Sequence, residues 1–313
     1  MSNTSINKTS STVVVKDNKA FNLFRWSFIA FLLVLNVTKN FIPGENIGMI
    51  AGIGTALGIC LLAWLHGTER YGLRNMVVFF VITWVLSNSF EAISIQTGFP
   101  FGHYHYNTLP GPRLFQVPLV IMPAYFGMGY IAWTLSQIFN RQFGKKIKGI
   151  QIFLVPFIAS FIMVMWDVVM DPIEATINKS WLWENGGNYF GVPISNYLGW
   201  FFVVYLFLQF FAIFISKNDT RESETNFNKP FWFEAIIIYG IQGLGFLLEC
   251  ITSNGNKEIY SSMGLVCVFT MIFVTILSAT SISNSIEVSY TEGKMNSANK
   301  KISKKNEPES INM

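Results

Sequence analysis

Two aspartates four residues apart, Asp167 and Asp171, close a long apolar run. At that spacing they share one face of a helix. Glu174 continues that face if the helix survives Pro172. A third acid, Glu91, closes another apolar run. An ionisable group inside a bilayer costs about 3 kcal/mol or more unless it faces protein or water. Such acids either snorkel and cap helices or transfer protons. Two aromatic loops beside the acids favour the second role. Residues 91–113 read EAISIQTGFPFGHYHYNTLPGPR and residues 171–196 read DPIEATINKSWLWENGGNYFGVPISN. Both segments are crowded with aromatics and glycine. A carboxyl group in an apolar site can keep its proton at neutral pH and deliver it to an alkene. Aromatic faces stabilise the resulting cation without capturing it. Asp167, Asp171 and Glu91 are therefore the candidate catalytic residues. Tyr104, Tyr106, Trp181, Trp183, Tyr189 and Asn196 are the candidate substrate-binding residues, the rings as a cover over a cavity and Asn196 and Tyr104 as water ligands. An interfacial aromatic belt is the plainer reading of some of these rings.

The elements that must position these residues are apolar spans. In the 313 residues, charged side chains are 13% and apolar ones 51%, with mean hydropathy +0.40. That composition excludes a disordered chain, a disulfide scaffold and an ordinary water-soluble enzyme. Eight runs, 23–42, 47–65, 73–90, 115–139, 150–170, 197–215, 231–251 and 260–282, approach the ~20 residues that cross a hydrocarbon core. The fold class expected is all-α: a polytopic helix bundle in the cell membrane, spanning 23–284. Tails 1–22 and 285–313 are polar and expected to be disordered. All basic residues but Lys39, Arg113, Lys179 and Lys257 fall on one side of such a bundle. This bias places both tails in the cytoplasm and both aromatic loops outside. Basic residues scattered along one face leave no nucleic-acid footprint.

Several other features are read as structural. Cys60, Cys250 and Cys267 lie inside spans without pairing or metal spacing. Gly48, Gly52, Gly54 and Gly58 read as close helix packing. Glu249 is placed to join the acids' cavity, and Glu234 reads as an interfacial residue at the inner end of its span. His103 and His105 have only His66 as a further partner, on the opposite membrane face, so a three-histidine metal site is rejected. No cofactor is expected. Both aromatic loops lead into a span through Val-Pro, at Val117-Pro118 and Val192-Pro193, and proline suits a helix's first turn. A weak internal repeat and chance explain this similarity equally well.

TGFPFGHYHY at 97–106, the Val-Pro opening of the fourth span, DVVMDP at 167–172 and WLWENGGNYFGVPISNYLGW at 181–200 together resemble the bacterial and archaeal carotenoid biosynthesis membrane-protein family. The resemblance covers residues 73–210. It implies carotenoid or other polyprenoid chemistry, in a family that includes hydratases of acyclic carotenoid ends. Partners implied are a lipid-soluble carotenoid substrate, membrane lipid and other enzymes of the pathway. Hydration would need one aspartate as acid and the other residue to place water, with the order open. Proton-initiated cyclisation uses the same acid and aromatic wall. A prenyltransferase lacks its acidic array and basic clamps here. Three histidines are too few for a histidine-box hydroxylase. A transporter, which also keeps acids in the membrane, remains the reading from a different class.

Overall fold

The computed structural model describes residues 19–42, 45–219 and 229–283. The expected tails lie outside these residues, except that 19–22 already form the first helical turn. Among the described residues eight helices make the bundle: α1 Lys19–Thr38, α2 Glu45–Tyr71, α3 Leu73–Thr97, α4 Met122–Phe139, α5 Gln151–Asp171, α6 Ile194–Asn218, α7 Lys229–Thr252 and α8 Lys257–Cys267. Helix α5 runs on through a π-helical turn, Pro172–Ile177, and α8 through another, Val268–Ile272, with its span reaching Ser283. With these extensions all eight are long and apolar enough to cross a membrane. Each helix satisfies its backbone groups within its own segment, which suits it to lipid, where an open backbone group finds no partner. The chain is a multi-pass membrane protein.

Helix α4 is the hub. Trp133, Tyr130 and Phe126 on it are fully buried, and it is covered by neighbours nearly all round. Glycine allows the closest approaches. A Cβ on Gly127 would stand 3.0 Å from the Cys60 backbone nitrogen, so α2 and α4 approach backbone to backbone there. Gly58 makes room for Leu32 of α1 in the same way. Gly48 and Gly52 do not follow the packing expectation: a Cβ on either would meet nothing within 4 Å. They border a cavity instead.

Some boundaries differ from the hydropathy runs. Helix α3 continues to Thr97, well beyond residue 90. The fourth span starts later than residue 115: Phe115 and Gln116 have φ of 50° and 72° and form the turn between two short strands, β2 Arg113–Leu114 and β3 Val117–Pro118. Apolar composition extends the run there without extending the helix. Helix α6 begins at Ile194 rather than 197. Pro118 and Pro193 are extended residues that stand just before their helical segments, not inside the first turn.

The end of the bundle away from the aromatic loops is tied by buried polar groups. Arg25 donates to Glu234 at 2.8 Å and also pairs with Glu69. Arg25 and Glu234 are each 1% exposed, which corrects the interfacial reading of Glu234. A buried guanidinium needs carboxylate partners, and α1 supplies one that α7 must answer. His66 lies at the same end, bonded to the Tyr130 hydroxyl at 2.7 Å and the Phe231 carbonyl at 2.8 Å.

Candidate active site

The two aromatic loops are one structure. Strands β1, Tyr104–Tyr106, and β4, Trp181–Trp183, pair antiparallel, with Tyr104 opposite Trp183 and Tyr106 opposite Trp181. Side chains alternate across such a ribbon. Tyr104 and Tyr106 therefore turn inward and are buried, while His105 turns out and is exposed, as is His103. The ribbon is a lid. Its root is pressed on α6 at Gly199, where a Cβ would stand 2.8 Å from the Phe101 ring.

Beneath the lid lies a cavity of about 950 Å³. Glu91, Asp171, Glu174, Glu249 and Asn196 line it, together with Tyr104, Tyr106, Trp181 and Trp183. Two carboxyl clusters face it. The first is Glu91. Because α3 runs six residues further, Glu91 sits about 9 Å below the helix end rather than at it. Its Oε2 accepts from the Tyr106 hydroxyl at 2.9 Å and its Oε1 from the Tyr125 hydroxyl at 2.5 Å. Tyr104 in turn donates to the Tyr106 oxygen at 3.4 Å. Burial, then the Glu91 charge, pushes the Tyr106 hydroxyl well above its ordinary pKa, so it stays a donor.

The second cluster is Asp167 and Asp171. The Asn196 amide donates to Asp171 Oδ2 and, at 3.3 Å, to Asp167 Oδ2. One side chain on α6 thus bridges both aspartates of α5. The two are not equivalent. Asp171 lines the cavity, whereas Asp167 is wholly shielded one turn deeper and is not part of the wall. The helix survives Pro172 by widening: the missing proline N–H breaks the α ladder, and Asn178 N–H reaches back five residues to the Ile173 carbonyl. Glu174 is thereby kept on the cavity, accepting from Ser180 at 2.7 Å.

Tyr189 is not brought to the cavity. It closes a tight turn with Val192 and rests its hydroxyl 3.8 Å from Met263 Sδ of α8. Glu249 does reach the wall, beside Lys39 at 3.6 Å. Three residues escaped the sequence reading. Tyr125 holds Glu91. Trp200 lines the cavity and stacks on Tyr125, with centroids 4.5 Å apart and planes within 1°. Trp166 meets Trp200 nearly edge-on at 6.2 Å. A signal existed for Trp200: it follows Asn196 by four residues and so shares its face.

The chain matches the family described as "Carotenoid biosynthesis protein" over residues 44–254. It is also similar to the bisanhydrobacterioruberin hydratase of Haloarcula japonica, 29% identical over 115 residues. That alignment spans 36% of this chain and 37% of the relative. No solved structure matches. Every residue of both carboxyl clusters falls within the matched family segment.

Proposed function

The chain belongs to the carotenoid biosynthesis protein family, and on that premise we propose that it is a cell-membrane hydratase adding water to a terminal alkene of an acyclic carotenoid. The observation that carries this is the Asn196-bridged aspartate pair beside a lid-covered aromatic cavity inside a membrane bundle. The distant hydratase relative supports the reaction type. Asp171, on the cavity wall, is the acid. Its O–H bond breaks as the alkene π pair takes the proton at the less substituted carbon. A tertiary cation forms, and the aromatic wall stabilises it. The oxygen of a water molecule then bonds to the cationic carbon. Glu91, held by Tyr106 and Tyr125, accepts that water's proton, and Tyr104 helps to place the water. The proton then passes from Glu91 back to Asp171 through water in the cavity that both line, which restores the two groups; alkene plus water gives alcohol, so the balance calls for no oxidant or reductant.

Cyclisation would share the acid but must keep water from the cation. Asn36, Lys39, Gln242 and Glu249 border the same cavity, and a polar wall of this kind favours hydration. The purified protein in lipid nanodiscs, given lycopene, an acyclic polyene with two unmodified ends, tests the reading. In ¹⁸O-labelled water the product hydroxyl should carry the label, and deuterated water should leave deuterium on the adjacent carbon. Hydroxyl oxygen drawn from O₂ would eliminate hydration. Deuterium in a ring product without added oxygen would select cyclisation.

A further inference from the structure

Trp200 stands between the two carboxyl clusters. On one side it is a helical turn from Asn196, whose amide holds Asp171 and Asp167. On the other it is stacked against Tyr125, whose hydroxyl is committed to Glu91 at 2.5 Å. Tyr125 is fully buried and covers one face of the indole, while Trp200 still borders the cavity. Trp166, next to Asp167 in sequence, approaches it nearly edge-on. Trp166, Phe101 and Phe246 line the cavity too, but among the described residues it is Trp200 that stacks on the tyrosine holding Glu91; the lid rings are placed differently. The Tyr104 and Tyr106 hydroxyls form a donor chain to Glu91, with the Tyr104 oxygen still able to accept from water, and the two lid tryptophans, Trp181 and Trp183, are partly exposed.

We infer that Trp200 is the aromatic surface over which the tertiary cation forms, and that Tyr125 is a positioning residue that locks this surface to Glu91. The inference rests on the hydratase reading above and adds a catalytic group to it. Indole is the strongest of the aromatic cation partners, and its effect grows where water is excluded. It also lacks the lone pair with which a carboxylate would trap the cation as an ester. Placement between proton donor and water-activating base is where the charge develops. A surface that favours the cation and not the neutral alkene accelerates the chemical step and leaves ground-state binding alone.

The test is site-specific replacement of Trp200 by tryptophan carrying one, two or three ring fluorines. Each fluorine weakens the negative ring face while nearly keeping its shape. Hydration of lycopene in nanodiscs should slow stepwise with fluorine number, in kcat and not in KM. Trp200→Phe should lose a few fold and Trp200→Leu roughly 30-fold. Tyr125→Phe keeps the stack but releases Glu91. It should lower kcat at constant KM and raise the share of substrate that takes up deuterium without gaining water, because the cation then reverts by proton loss. If the fluorinated proteins hydrate at the unsubstituted rate, Trp200 is only packing and the inference is overturned, whatever Trp200→Leu does. If the unaltered protein adds no water to lycopene, the hydration reading itself falls, and this inference with it.

Discussion

Asp171→Asn and Asp167→Asn should differ in severity, although their spacing makes them interchangeable on a helical wheel. Asp171 is on the cavity wall and Asp167 is a turn below it, fully shielded. Asp171→Asn keeps the shape and the Asn196 contact but cannot hand over a proton. Loss of a positioned general acid costs about 10²–10⁴ in kcat. Asp167→Asn retains a carbonyl that can accept from Asn196. Its cost is bounded by one impaired buried hydrogen bond, about 1–3 kcal/mol, which is roughly 5- to 150-fold in rate. The lower end is expected. Because both aspartates meet the same amide, the double variant should fall short of the product of the single effects. The assay is the initial rate of water gain by lycopene, read by mass, with protein amounts matched in the membrane. Asp167→Asn proving the more damaging would refute the assignment of Asp171 as the acid. Near-normal turnover in both would refute the aspartate pair altogether.

Arg25→Leu should destabilise the protein by about 3–5 kcal/mol, since Glu234 would be left buried without its cation. Glu234→Gln should cost less, because Glu69 remains with Arg25; thermal unfolding in detergent compares them, and an unchanged Arg25→Leu midpoint would contradict the buried pair. Burial pushes the Tyr189 hydroxyl up to about 12 from an ordinary 10.0. Its neutral form is favoured in the folded state, so its contribution is intact below pH 10 and is lost as pH rises toward about 12. Tyr189→Phe should flatten that alkaline fall in stability, and an unchanged profile would count against it. With the native cysteines replaced, Asn185→Cys on the exposed lid should label from outside intact cells and Arg141→Cys only after permeabilisation. Labelling of Arg141→Cys alone would reverse the orientation.

The spans, their number and the aspartate pair were legible because they depend on periodicity and hydropathy within single helices. The lid was half legible. HYHY at 103–106 alternates with period two, as a short strand does, whereas WLW at 181–183 is apolar throughout and shows no such alternation. What sequence does not display is that two such strands, far apart in the chain, are partners. Depth was misjudged for the same reason. Ser94, Ile95 and Gln96 look like the start of a loop, yet they carry α3 onward past Glu91. Tyr125 and Trp200 were hidden among many aromatic residues of the spans, and only their mutual stacking singles them out. Glu234 was misread because its partner, Arg25, is 209 residues away.

The pairing of β1 with β4 also orders the birth of the protein. A chain emerging from the ribosome presents Tyr104–Tyr106 long before Trp181–Trp183. Until the second strand arrives, the first has no backbone partner and Glu91 has no roof. The helix that brings Asn196 to the aspartates comes directly after the second strand. Roof and amide bridge are thus completed within one short stretch of synthesis, after five of the eight spans have entered the membrane. A truncated product ending before that stretch carries the acids but no assembled chamber.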